Sequence, residues 1–257
     1  MAPLAAQDAK LFVTVFDEKT GQPIKDLEAR NFQIIDGKTR LTIDGVAFKE
    51  ELADIMLLID TSLVGEMVRP LAAAFVEGMG DEEQMAIVSY HNSADLIQDF
   101  TTSRNLLHGA LDQVEYGNNP RALDALFAAI DGGFQYSTAR RVIVLLSAGV
   151  EGRSRVSEAE IIQLGRQRGV SIYPVYVMGV EKGMFRRLAG GTGGAYFAAK
   201  KLKLKPAELS RRVYSVVRGY YEIGVSGVYS LGDRIKVEVV GLGKSKWKIR
   251  ATSLARE

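Results

Sequence analysis

An apolar run at residues 55–59 is followed at once by the polar residues Asp60, Thr61 and Ser62. An unbroken apolar run of this kind is typical of a central parallel strand whose two faces are both covered. Ligands of open α/β sheets bind just beyond the carboxyl ends of such strands. The run therefore predicts an α/β fold, with Asp60, Thr61 and Ser62 at the edge of the sheet where a binding site is expected.

Strand and helix patterns alternate from residue 53 onwards. Further strands are predicted at 85–90, 94–100, 141–146 and 170–177, the second of them at an edge beside the first. Helices are predicted at about 68–78, 104–114, 121–132, 157–168 and 206–218, with a short helix, a glycine turn and a last strand over 185–197. Repeated βα pairs imply right-handed crossovers and a doubly wound, mostly parallel, Rossmann-like sheet with helices on both faces.

Both ends of the chain have the period-2 alternation of β-strands. Strands are predicted before the α/β part at 11–16, 31–35 and through 46–48, and after it at 220–225, 233–239 and 247–252. Asp36-Gly37 predicts a hairpin turn between two of them. Neither set can bury a core alone, so we expect the termini to form one small β-sandwich into which the α/β domain is inserted. The predicted domains are 1–50, 51–218 and 219–257.

Composition argues against several classes of function. A net charge of +2 gives no reason to expect binding to nucleic acid, and no apolar stretch is long enough for membrane insertion. The chain has no cysteine and two histidines, His91 and His108, too few for a thiolate or histidine metal cluster or a histidine triad. No nucleophile–base pair, carboxylate pair or cofactor fingerprint is evident, so we do not expect an enzyme.

The loop Asp60-x-Ser62-x-Val64 resembles the Asp-x-Ser-x-Ser metal-binding loop of von Willebrand factor type A (VWA) domains. Segments 117–126, 142–149 and 188–197 also fit that family, and the flanking pieces at 13–37 and 221–251 resemble a VWA-related family known from acidobacteria. This resemblance implies the VWA fold and an extracytoplasmic or secreted bacterial protein. The first eight residues lack a basic start and do not form a signal peptide as they stand.

VWA domains often bind a divalent cation at a metal-ion-dependent adhesion site, where an acidic residue of a partner protein completes the coordination. The resemblance assigns Asp60 and Ser62 to this site. Val64, Pro120 and Ala148 stand where the family has a serine, a threonine and an acidic residue, and their side chains offer no oxygen. We therefore expect a degenerate site and no cofactor. Binding of Mg²⁺ would require substitute oxygens from Asn118, Asn119, Ser147 or Glu151.

Several conspicuous residues have structural interpretations. We expect Asp60 and Ser62 to cap the following helix and to bond the amides of their own loop. The glycine run at 190–194, which contains Thr192, precedes a strand and predicts tight turns. The lysines of 200–205 predict a solvated linker, and His91 and His108 are expected at the surface.

Two features in the C-terminal part also have structural interpretations. Residues 243–245 look like the end of a phosphate-binding loop, but they join two predicted strands and predict a hairpin. We expect Tyr214, Tyr220 and Tyr221 to pack the β-sandwich.

The sequence favours a non-catalytic module that binds a protein partner, or itself, through the loops at the carboxyl edge of the sheet. The candidate contact residues are Asp60, Thr61, Ser62, Asn118, Asn119, Ser147 and Glu151. One alternative is a cation-dependent adhesion-type domain, and another is a hydrolase-type enzyme that uses the crevice at the same edge. The sequence names neither the partner nor an oligomeric state.

Overall fold

The computed structural model describes residues 7–62, 65–137, 139–227, 235–241 and 249–256. In chain order, the strands and helices of this part are β1 (Gln7–Asp17), β2 (Phe32–Asp36), β3 (Thr39–Arg40), β4 (Thr42–Glu50), β5 (Ala53–Asp60), α1 (Arg69–Gly78), β6 (Met85–Tyr90), β7 (Ala94–Thr101), α2 (Arg104–Asp112), α3 (Ala122–Gly132), β8 (Arg140–Ser147), α4 (Glu158–Arg168), β9 (Val170–Tyr176), α5 (Lys182–Gly191), β10 (Phe197–Ala198), α6 (Ala199–Leu202), α7 (Pro206–Arg218), β11 (Gly219–Gly227), β12 (Ile235–Val239) and β13 (Ile249–Arg256).

The central sheet has the strand order β10-β9-β8-β5-β6-β7. All of its strands are parallel except β7, which runs antiparallel to β6 at the edge. Every residue of β5, β6 and β9 is buried, as expected when helices cover both faces of a sheet. Helix α1 contacts α2 and α7, and α4 contacts α3 and α5. The predicted doubly wound α/β fold is confirmed.

Local sequence signals account for the helices that flank this sheet. Helix α1 has a proline in its first turn, where a missing N–H costs nothing, and it buries Leu71 and Phe75 four residues apart. Helix α4 begins with a capping box between Ser157 and Glu160, and it ends at Gly169 with a left-handed φ of 64°. None of the helices in the described residues is both long and apolar enough to cross a bilayer.

The two termini form a separate pair of sheets, with the orders β13-β1-β11-β4 and β12-β2-β3. Their inward-facing residues make one apolar cluster, which includes Leu11, Val13, Ile34, Tyr221 and Ile223. The predicted β-sandwich, with the α/β domain inserted between its two halves, is therefore confirmed. The predicted hairpin turn joins β2 to β3, and Gly37 adopts the positive φ of 60° that favours glycine.

Two of the three tyrosines assigned to the sandwich lie outside its apolar cluster. The Tyr220 ring packs against the guanidinium of Arg140, whose Cζ lies 4.6 Å from the ring centroid. Tyr221 lies in the sandwich core, with its ring 5.2 Å from that of Phe32. Tyr214 instead belongs to the α/β core, where its hydroxyl donates to the carbonyl oxygen of Phe75 at 2.7 Å. The prediction for Tyr214 was wrong because α7 turns this side chain towards α1.

The sandwich and the α/β domain share a polar and aromatic junction. The hydroxyl of Thr14 in β1 donates to the carbonyl oxygen of Gly193 at 2.9 Å, and the Phe16 ring packs edge-on against Tyr196. Glu18, whose side chain is 2% exposed, forms an ion pair with Arg186 of α5. These contacts join β1 and the turn after it to α5 and the glycine-rich turn that follows α5.

One further prediction is confirmed, and others fall wholly or partly outside the described residues. The glycine segment follows the prediction, because α5 ends at Gly191 and Gly193 adopts a positive φ of 76°. Residues 1–6, the 243–245 hairpin and the first residues of the predicted 247–252 strand lie outside the described residues.

Candidate functional site at the carboxyl edge of the sheet

Four strands of the central sheet end at one edge, at Asp60, Tyr90, Ser147 and Tyr176. They end together because they are parallel. Ser62 forms a short parallel bridge with residue 117. The bridge brings the loop before α3 to the loop after β5, so the candidate residues from both loops lie at this edge.

The Asp60 carboxylate is fully buried and is held by both neighbouring loops. Its Oδ1 accepts hydrogen bonds from the Ser62 amide at 3.0 Å and the Ser62 hydroxyl at 2.6 Å. Its Oδ2 accepts from the Ala148 amide at 2.9 Å. The expectation that Asp60 bonds its own loop is confirmed. The expected helix cap was wrong, because α1 begins with Val68 at its N-cap and without a side-chain cap.

Thr61 and Ser147 are also fully buried at this edge. The Thr61 hydroxyl donates to the carbonyl oxygen of Tyr90 at 3.2 Å, and Ser147 Oγ accepts from the Gly149 amide at 2.9 Å. Burial, and next the negative charge of Asp60, raise the pKa of the Tyr90 phenol well above its ordinary value. The Tyr90 phenol therefore stays neutral beneath the loops.

Glu151 fixes the loop after β8 to the start of α3. Its Oε2 accepts from the Ala122 amide at 3.1 Å, and its Oε1 accepts from the Ser154 amide at 2.8 Å. A carboxylate at a helix N-terminus is favoured by the helix dipole. Asn118 and Asn119, in the loop before α3, are exposed, and Asn119 has a left-handed φ of 47°.

The groups around Asp60 differ from the cation site that its loop suggests. Ser62 Oγ donates to Asp60 Oδ1, Pro120 is buried without a side-chain oxygen, and Ala148 supplies an N–H donor to Asp60. Val64 lies outside the described residues. Within the described residues, no group of three or more histidines, aspartates or glutamates could hold a metal ion. These residues fit a hydrogen-bonded loop better than the octahedral oxygen shell of Mg²⁺.

The histidines have local partners. Nδ1 of His91, which is half-buried, accepts from the Asn92 amide at 2.6 Å, and its ring packs over Gly117. His108 lies at the surface with Nε2 2.6 Å from Glu77 Oε1.

Three exposed apolar side chains at this edge were not predicted. Met67, Tyr116 and Val180 are 47%, 40% and 68% exposed. Met67 follows the Asp60 loop, Tyr116 precedes Gly117, and the loop that carries Val180 bonds residues 148 and 149 through backbone amides. Tyr116 carried a signal in the sequence, as an aromatic residue between Glu115 and Gly117 in a predicted loop, whereas Met67 and Val180 did not.

Solved structures share the architecture. Proximal thread matrix protein 1 (PTMP1) from the mussel byssus superposes with a TM-score of 0.57 at 19% identity. The match covers 68% of this chain and 49% of that one, so the chain spans about half the length of PTMP1. The "SpRpn10 VWA domain" superposes with a TM-score of 0.50 at 14% identity, over 62% of this chain and 94% of that one. The chain has a VWA fold.

Other comparisons extend this result. BatB from Bacteroides thetaiotaomicron matches the VWA fold with a TM-score of 0.52 at 12% identity, over 65% of this chain and 99% of that one. No family model matches the chain, and neither does any curated protein. The resemblance to VWA domains is thus confirmed at the level of the fold, and the resemblance to the acidobacterial family stays a prediction.

Proposed function

We propose that the chain is a non-catalytic protein-interaction module that binds a partner through the carboxyl edge of its VWA sheet without a bound cation. The buried Asp60 carboxylate carries this proposal, because it already accepts three hydrogen bonds from Ser62 and Ala148. A cation at Asp60 would compete with these donors. On this view the site is a degenerate metal-ion-dependent adhesion site.

The exposed apolar side chains support a protein partner. Met67, Tyr116 and Val180 surround the Asp60 loop on three separate connections. Aromatic and methionine side chains are enriched in protein interfaces, where they bury apolar area. Together with Asn118 and Asn119, they offer an apolar surface with polar neighbours.

The hydroxyl groups at this edge support a non-catalytic role. The hydroxyl of Ser62 donates to Asp60, and that of Ser147 accepts from Gly149. In the part of the chain that the structure describes, neither hydroxyl has a histidine partner of the kind that activates a serine nucleophile.

Among the four substitute ligands that the adhesion-type alternative could use, Glu151 is the one with a carboxylate. Asp60 and Glu151 both raise the pKa of Tyr90, so both carboxylates act on one region. One PTMP1 structure has zinc in its metal-ion-dependent adhesion site (MIDAS) motif. For Glu151 to bind a cation here, it would have to release the amides of Ala122 and Ser154.

We also propose an extracytoplasmic location in a bacterium. One structure with the same fold is an aerotolerance-related membrane protein from Bacteroides fragilis, which matches with a TM-score of 0.54 at 11% identity. Fractionation of cells that express the tagged full-length gene product tests this location, and recovery in the cytoplasm alone would contradict it.

Affinity enrichment from an extract of the encoding organism tests the interaction. The bait is the wild-type chain, a Tyr116→Ser/Val180→Ser variant, or a Leu106→Ser/Tyr136→Ser control, each with and without EDTA. The control residues are also exposed, but they follow elements that end at the opposite edge of the sheet. We expect a partner that the wild type and the control retain in EDTA and that the Tyr116→Ser/Val180→Ser variant loses. Loss of the partner in EDTA would favour the adhesion-type alternative, and equal retention by all baits would contradict the proposed surface.

A further inference from the structure

The lysine-rich segment 199–205 is held against the α/β core. Ala199–Leu202 form α6, a single helical turn. Leu202 and Leu204 are half-buried and pack against the core. The predicted solvated linker is therefore wrong for the backbone, although the lysines themselves are exposed. Sequence reasoning missed the two leucines, which anchor the segment between the lysines.

Four lysines of this segment project from an anchored backbone. Lys200, Lys201, Lys203 and Lys205 are all exposed. Lys203 adopts a left-handed φ of 54°, a conformation that is uncommon for a residue with a Cβ. We call these four residues the basic segment.

The basic segment carries an uncompensated positive charge. Among the described residues, none of its four lysines forms an ion pair, whereas Lys10 pairs with Glu222. Glu208, which is exposed in the first turn of α7, is the acidic residue next to it along the chain. Four ammonium groups near one another, against one carboxylate, create a positive potential that attracts an acidic group.

The basic segment borders the surface proposed above. Strands β9 and β10 are neighbours, and their last residues, Tyr176 and Ala198, are paired. Val180 follows the first strand by four residues, and Lys200 follows the second by two. The exposed apolar side chain of Val180 and the lysines thus leave the sheet from adjacent strand ends at the same edge.

We propose that the basic segment binds an acidic segment of the protein partner, while Val180 and its neighbours contact that partner's apolar side chains. This inference rests on the proposed function. Charge complementarity at the rim of an interface speeds association and selects the partner. We favour a partner protein over a lipid surface because the lysines border the surface through which the chain is proposed to bind a protein.

A labelled short peptide of glutamate, aspartate and leucine serves as the probe, with binding followed by fluorescence anisotropy. The Lys200→Glu/Lys201→Glu variant is compared with a Lys38→Glu/Lys49→Glu control, which makes the same change of net charge at exposed positions in the β-sandwich. We expect the wild type and the control to bind alike and the variant to bind about tenfold more weakly. We also expect the wild-type affinity to fall as salt is added.

Three results of the binding measurements would overturn the inference. They are no binding of the peptide by the wild type, equal weakening in both variants, and charge-specific binding to phosphatidylserine vesicles in place of the peptide. The enrichment experiment separates this inference from the proposed function. If the Lys200→Glu/Lys201→Glu variant retains the partner that the Tyr116→Ser/Val180→Ser variant loses, the inference fails and the proposed function stands.

Discussion

Asp60 ends β5 with both of its carboxylate oxygens bonded to loop donors. Its burial and its bonds to Ser62 and Ala148 connect the loops after β5 and β8. A carboxylate in this position supports the loops through these hydrogen bonds alone. The same residue type in the same motif can therefore be a ligand in one chain and a structural acceptor in another.

The Asp60→Asn variant tests this structural role. An amide cannot accept from all three donors, so we expect the free energy of unfolding to fall by about 2 kcal/mol. If no cation contributes, as proposed, urea unfolding in EDTA and in excess Mg²⁺ should give the same loss. Asp112→Asn is the control, since Asp112 is 76% exposed in a surface ion pair, and it should change stability little. A loss seen only in Mg²⁺ would mean that Asp60 acts through a cation.

Gly149 shapes the neighbouring loop through its backbone. It has a φ of 105°, and a Cβ there would lie 1.9 Å from the carbonyl oxygen of Met178. We expect Gly149→Ala to lower the free energy of unfolding by about 3 kcal/mol or more. Gly179→Ala is the matched control, because a Cβ at Gly179 meets no atom within 4 Å. Similar thermal unfolding of the two variants would contradict this packing.

At the scale of elements, the hydrophobic pattern of the sequence predicted the positions of the strands well. It predicted the contacts between elements less well. The runs at β5, β8 and β9 were recognisable because strands buried on both faces are apolar throughout. The packing of Tyr214 was not recognisable from the sequence, because a tyrosine in an amphipathic helix can face either neighbouring core. The Glu18–Arg186 ion pair joins residues far apart in the chain, and no local signal predicts such a contact.

The start of α4 offers a pH-dependent prediction. Hydrogen bonds from the Ser157 amide and hydroxyl lower the pKa of the Glu160 carboxyl. A lowered pKa means that this cap stabilises the fold above the pKa of an unfolded glutamate. The stabilisation is lost as the pH falls through the lowered value. Ser157→Ala removes the hydroxyl and keeps the amide, so we expect it to raise the pKa of Glu160 part of the way to its ordinary range, as measured by NMR titration. An unchanged titration curve would show that the Ser157 hydroxyl does not bind this carboxylate.

At the scale of the whole molecule, the junction predicts that the sandwich and the VWA domain unfold together. The described α-helices all lie between residues 69 and 218, so the helical signal in far-ultraviolet circular dichroism reports the α/β domain. The amide signals of the paired strands β1 and β11, followed by NMR, report the sandwich. We expect the urea transitions followed by these two signals to coincide. Separate midpoints would mean that the two units unfold independently.

Arg186 tests the junction directly. Its loss removes the ion pair of the buried Glu18 carboxylate, so we expect Arg186→Ala to destabilise the fold by about 3 kcal/mol. Arg187→Ala is the neighbouring control, because Arg187 forms its ion pair with Glu158 at the surface, and its effect should be much smaller. Equal losses of unfolding free energy in the two variants, measured by chemical unfolding, would show that the buried ion pair stabilises the fold no more than the surface pair does.

The central proposal about this molecule is that Asp60 binds no cation. Isothermal titration of the chain with Mg²⁺, Mn²⁺ and Ca²⁺, repeated on Asp60→Asn, tests it most directly. We predict no saturable heat and no rise in melting temperature, although an ion that bound only the folded state would raise it. Saturable binding to the wild type that disappears in Asp60→Asn would contradict the claim and make this edge a working cation-dependent site.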